Sequence, residues 1–220
     1  MLYDKIISLG DACFISTEMR LLNKRFEAMP FDWIESNLQL IDLAVTDPAA
    51  AYESCVTPWL QNKTFKTYSF VGGFEKCRFA HHDPLQHEAY FQRCWARWTS
   101  SLNGHESILF LHAHIHQERQ VINNSHIQLL KQVVDSLTQC YPQLSFHVVS
   151  IQPIVTTLCD KLYDIDTNNN LTILRPYITV PLSIHWQTER HIWDKVWDNV
   201  FDLFKIKDNT TKVKEIDQFD

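Results

Sequence analysis

The apolar residues of this chain change their period several times, and each change predicts an element. Lys5 to Leu9 is a short, nearly uninterrupted apolar run, the pattern of a buried strand. Gly10 ends it, and Ile15, Met19 and Leu22 then recur at helical spacing, which predicts a helix from Asp11 to about Leu22. Asp11 suits its N-cap, and Gly10 suits a tight strand-to-helix turn. Leu38 to Val45 predicts a short helix, and Pro48 opens another around Ala49-Ala50-Ala51. From Phe65 to Phe70 the pattern alternates, breaks at Gly72-Gly73 and returns over Lys76 to Ala80, a hairpin signal. His87 to Leu102 is a Trp-rich helix with Phe91, Trp95 and Trp98 on one stripe.

The second half alternates strand and helix. Ser107 to Leu111 reads as a strand, Ile127 to Leu137 as an amphipathic helix, and Leu144 to Ile151 as a strand closed by Pro153. Leu171 to Leu174 follows an Asn-rich turn, and Ile178 to Ile184 predicts a final strand. Ile192 to Phe204 closes the series as a helix, with Trp193, Val196, Trp197 and Val200 along one face. The expected fold is therefore α/β: a layered, mostly parallel sheet flanked by helices, with a β-hairpin insertion at Gly72-Gly73. Residues 1–207 are expected to form a single domain, and residues 208–220 a polar C-terminal tail.

Composition narrows the function classes. The chain has 220 residues, 45% of them hydrophobic, enough for a sizeable core. Its formal net charge is −6, and no basic stripe interleaves with aromatics, so no nucleic-acid partner is expected. No apolar run approaches the roughly 20 residues of a membrane span, and the first residues lack the apolar core of a secretory signal. A cytoplasmic location and no membrane partner are the expectations. Six widely spaced cysteines with no Cys-x-x-Cys pair are neither a disulfide scaffold nor a zinc ribbon, and most should be small buried hydrophobes.

One cysteine differs. Cys13 falls where the first strand hands over to its helix, and helix N-terminal N–H groups stabilise a thiolate. In a parallel sheet ligands gather at the carboxyl ends of strands. The topology would bring Cys13, His112, His114, His116, Gln152 and His185 to that rim, with the third main strand ending near Leu111. In Pro30-Phe31-Asp32-Trp33, the two aromatics read as core anchors, and Asp32 between them needs a partner. Capping a helix that starts near Glu35 would satisfy it, as would orienting an imidazole. His112-Ala113-His114-Ile115-His116 puts three imidazoles on one face of an extended chain, a spacing able to bind zinc.

Ser8-Leu9-Gly10-x-x-Cys13 followed by Pro30-Phe31-Asp32-Trp33 resembles a bacterial family of papain-like cysteine peptidases. The mid-chain Phe79-Ala80-His81-His82-Asp83 is similar to the family's Phe-x-His-Asp stretch, with one extra residue. The resemblance implies a cysteine nucleophile, carried over to Cys13, and points to His82 as the base, with His81 as the alternative register. His185 is the rival base from the residues themselves. Adjacent side chains of an extended segment diverge, so Asp32 serves better than Asp83 as the third member. The leading expectation is thus a cysteine-dependent hydrolase or acyltransferase acting on a peptide or small acyl substrate through Cys13, His82 or His185, and Asp32, with no cofactor and no metal. The alternatives are a metal-dependent hydrolase on the His-x-His-x-His cluster and a non-catalytic binding domain.

Overall fold

The computed structural model describes residues 2–10, 13–24, 27–32, 34, 36–62, 84–114, 124–155, 163–178 and 190–207. In chain order the strands are β1 (Leu2–Tyr3), β2 (Lys5–Ser8), β3 (Ile108–Ala113), β4 (Phe146–Ile151), β5 (Ile154–Val155), β6 (Tyr163–Asn168), β7 (Leu171–Ile178) and β8 (Lys205–Ile206). The helices are α1 (Phe14–Leu21), α2 (Leu38–Thr46), α3 (Pro48–Asn62), α4 (Pro84–Leu102), α5 (Asn124–Cys140) and α6 (Arg190–Leu203).

The protein is α/β, with a mostly parallel sheet between two helical layers. Strands β2, β3, β4 and β7 lie side by side in that order, all parallel. β5 keeps the register that β4 holds on β7, so it continues β4 beyond Gln152-Pro153. β6 pairs antiparallel with β7 along its other edge. β1 and β8 form a separate parallel pair, tied by an ion pair between Lys207 and Asp4.

Alternation along the strands decides which layer each side chain joins. Ile7, Leu9, Ile108, Phe110, Phe146 and Val148 pack with α2, α3, α4 and α5. Ile6, Leu109, Leu111, Ala113, Val149 and Ile151 face α1 and α6. The predicted stripes fill these layers: Trp98 is sealed in the first, and Trp193, Val196, Trp197 and Val200 in the second. Phe14 meets Trp193 edge-on at 4.9 Å between ring centroids, and Phe31 meets Trp98 at 5.4 Å. Cys55 and Cys94 are buried as small core residues, whereas Cys140 is exposed at the end of α5.

Several boundaries differ from expectation. The first helix starts at Phe14 with Cys13 in the N-cap position, so Asp11 does not occupy it. β3 runs on to Ala113, which places His112 inside the strand rather than beyond it. The expected hairpin at Gly72-Gly73 lies outside the described residues. The hairpin that is described joins β6 to β7 through Asn169-Asn170, with Asn169 at a left-handed φ of 46°. β6 went unread because its sequence, Tyr-Asp-Ile-Asp-Thr-Asn, carries too few apolar residues to signal a strand. It is an edge strand, and exposed polar residues are what such an edge tolerates. β7 absorbs Ile178, the first residue of the expected final strand, and the rest of that strand lies outside the described residues.

Candidate functional site

Strands β2, β3, β4 and β7 end at one rim, and of the residues expected there Cys13, His112, His114 and Gln152 are among those described. β2 delivers Ser8, Leu9 and Gly10 to this edge, and the Leu9 N–H bonds the Leu111 carbonyl of β3 at 2.8 Å. Gly10 turns the chain with φ +80°. A Cβ there would lie 2.1 Å from Ser36 Oγ and 3.3 Å from Phe31 Cβ, so glycine is demanded by both conformation and space. Cys13 then sits half-buried at the head of α1, its thiol outside any disulfide. Its carbonyl accepts the Thr17 N–H at 2.9 Å, the first turn of the helix.

The Pro30-Phe31-Asp32 turn closes over this corner. Phe31 is fully buried against Trp95 and Trp98. Asp32, 4% exposed, accepts the Ser16 hydroxyl on one oxygen and the Met29 N–H on the other, each at 2.9 Å. Ser16 stands three residues after Cys13 and shares its side of α1. The buried carboxylate is therefore held against the same turn of helix that carries the thiol. Asp32 caps no helix near Glu35: the next helix is α2, and its cap is Asn37, whose side chain accepts the Leu40 N–H at 2.9 Å.

The two candidate bases, His82 and His185, lie outside the described residues, as do His81, Asp83, Trp33 and His116. The structure gives no position for them relative to Cys13.

A second polar group occupies the rim one strand further in. His112 and Ser150 are register partners on β3 and β4, and both point toward the α5 layer. His112 Nδ1 and Ser150 Oγ are 3.2 Å apart, and Gln152 Nε2 donates to the same oxygen at 3.2 Å. His114 extends the line of β3 through its N–H to the Ile151 carbonyl. From the first turn of α5, His126 lays its ring 4.0 Å from that of His114 and 5.4 Å from that of His112. The expected same-face placement of His112 and His114 is what the strand produces. His126 was not foreseen, because nothing in a lone histidine at a helix start reveals what the helix packs on. Burial, with the neighbouring rings, holds His112 well below the usual imidazole range and His126 at about 4. Both are neutral at pH 7. Among the described residues no three His, Cys, Asp or Glu side chains are placed to hold a metal ion.

The carboxyl edge of the parallel sheet thus carries a thiol at the head of α1 and a carboxylate clamped to Ser16 in the same helix. Residues 4–47 match the model of the family described as "Putative papain-like cysteine peptidase (DUF1796)". That segment spans β2, the Gly10 turn, Cys13 and α1, the Asp32 turn and α2, so the resemblance read from the motifs holds there. No curated protein and no solved structure matches the chain. No helix among the described residues is long and apolar enough to cross a membrane.

Proposed function

We propose that the protein is a cysteine-dependent hydrolase or acyltransferase with Cys13 as nucleophile. The observation that carries this reading is the packing of the Asp32 carboxylate, through Ser16, against the helical turn headed by Cys13, within the segment that matches the peptidase family. In the proposed reaction an imidazole, from His82 or His185, takes the thiol proton. The sulfur attacks the substrate carbonyl carbon, and the new C–S bond replaces the bond to the amine or alcohol, which leaves with the proton returned by the imidazolium. Water, or an acceptor nucleophile, then cleaves the thioester and restores the thiol. Asp32 would orient the imidazole, its own position fixed by Ser16 and the Met29 N–H. Main-chain N–H groups at the head of α1 would face the oxyanion.

Iodoacetamide labelling of Cys13, followed by peptide mass spectrometry from pH 5 to 10, tests this. An activated thiol labels with a midpoint below the free-cysteine value of about 8.5. His82→Ala and His185→Ala identify the base, since only the paired one raises the midpoint. A midpoint at or above 8.5 in the unaltered protein ends the proposal.

A further inference from the structure

An open groove of about 490 Å³ lies between the start of α3 and the second half of α4. Small side chains make room for it: Ala49 on α3 and Ala96 on α4 both line it. Tyr52 and Trp95 supply its aromatic wall. The Trp95 indole is fixed, its Nε1–H donating to the Pro48 carbonyl at 2.8 Å. The Tyr52 ring meets it edge-on, with 5.5 Å between centroids and 79° between planes. The Tyr52 hydroxyl oxygen is buried and makes no hydrogen bond among the described residues. Asp47 and Glu53 line the same groove, and among the described residues no Lys, Arg or His does. Burial, and then the charges of Glu88 and Glu53, push the Tyr52 pKa up, so a third carboxylate acts on this ring. Asp47 accepts the Ala50 N–H at 2.9 Å, and Glu88 accepts the Gln92 amide at 3.2 Å. Neither they nor Glu53 form an ion pair among the described residues, whereas Asp4, Glu27, Glu106 and Asp202 each do.

We propose that this groove binds a small alkylammonium ion, its carbon substituents against Ala49, Ala96 and the two rings and its charge answered by Asp47, Glu53 and Glu88. Aromatic walls attract a cation through the ring quadrupole, and an ammonium wrapped in alkyl groups gives up little hydration on entering. The three carboxylates add a field of one sign that repels anions and leaves a neutral ligand without its electrostatic share. The volume is that of a small-molecule site rather than of a protein interface. None of the groove's residues belongs to the rim that carries Cys13, so this site stands or falls apart from the thiol chemistry.

The test titrates the full-length protein with choline and with its uncharged isostere 3,3-dimethylbutan-1-ol, following the Trp95 indole N–H by NMR. Choline is expected to shift that signal saturably, less tightly in added salt, and the alcohol to bind roughly tenfold more weakly. Tyr52→Phe keeps the ring and should bind choline as the parent does. Tyr52→Leu should bind it roughly two- to fivefold more weakly, the loss expected for one aromatic face. The double variant Asp47→Asn, Glu53→Gln changes two exposed side chains, and asparagine still caps α3, so the fold is kept. Its choline affinity should fall roughly threefold or more. Equal affinities for choline and the alcohol would reduce the groove to an apolar crevice and overturn the proposal. So would the absence of a saturable choline shift, or a double variant that binds choline unchanged. Phosphatidylcholine vesicles sedimenting with the protein when free choline does not bind would overturn it as well, by making the ligand a membrane surface.

Discussion

Replacing Gly10 with alanine tests the joint on which the candidate site is built. Gly10 has φ +80°, where an L residue carries a penalty of about 1–2 kcal/mol. The added methyl would meet Ser36 Oγ at 2.1 Å and Phe31 Cβ at 3.3 Å. Ser36 Oγ is directed at the Leu9 carbonyl, 3.4 Å away, and both Ser36 and Phe31 are buried, so neither can swing clear without repacking. Forcing an extra methyl into such a contact costs about 1–3 kcal/mol. Gly10→Ala should therefore lose roughly 2–5 kcal/mol in urea unfolding. Ser36→Ala alone, which gives up one long hydrogen bond, should lose under about 1 kcal/mol. The double variant removes the atom at 2.1 Å but leaves the backbone strain, so it should recover about 1–3 kcal/mol relative to additivity. A Gly10→Ala loss below about 0.5 kcal/mol, or strict additivity in the cycle, refutes the reasoning.

Acid should weaken the fold before its carboxylates titrate. Burial holds His126 and His147 at about 4 in the folded protein against 6.5 when free, so the unfolded chain binds protons first. Their stabilisation is complete above pH 6.5, declines as pH falls, and is gone below about 4; each ring contributes on the order of 1–2 kcal/mol after allowance for its contact with solvent. Unfolding free energies that are flat from pH 7 to 4.5 would contradict this. Trp197→Phe removes the indole donor to the fully buried Glu18 carboxylate and should cost about 1–3 kcal/mol in chemical denaturation. Glu18→Gln in the Trp197→Phe background should recover part of that loss by removing the buried charge, and a further loss would contradict the assignment.

Much of the fold was legible because burial imposes periodicity. β2, β3 and β4 are sheathed on both faces, so they had to be short apolar runs, and α1, α4 and α6 each bury a single stripe. The elements that escaped are those whose surroundings relax that demand. β6 lies at the sheet edge with Ile165 45% exposed, and nothing in its composition distinguishes it from a turn. The helix ends shifted by two or three residues, since caps depend on local hydrogen bonds that the apolar pattern does not encode.

The site was less legible for a related reason: its members are joined across the sheet rather than along the chain. Alternation in β3 put His112 and His114 on one face correctly, because that rule is local. Which helix would cover that face, and hence that His126 would lie beside His112 and His114, depended on where α5 packs. Asp32 shows the same limit. A carboxylate between two aromatics signals a needed partner, but only the fold identifies that partner as Ser16, three residues after the cysteine.

The two N-terminal motifs are bound together by packing before any chemistry is considered. Gly10 exists to admit Phe31 and Ser36, and Ser16 exists to receive Asp32, so the spacing of the motifs is demanded by one tight corner of the core. A chain that had lost its catalytic function would keep the same corner, because breaking it costs stability. It follows that the motif pair identifies the architecture of the site but does not by itself measure its reactivity. What separates an enzyme from a retained scaffold is the acidity of the Cys13 thiol, a quantity the corner does not need for folding and would not preserve without use. The pH midpoint of Cys13 alkylation is therefore the measurement that discriminates between them.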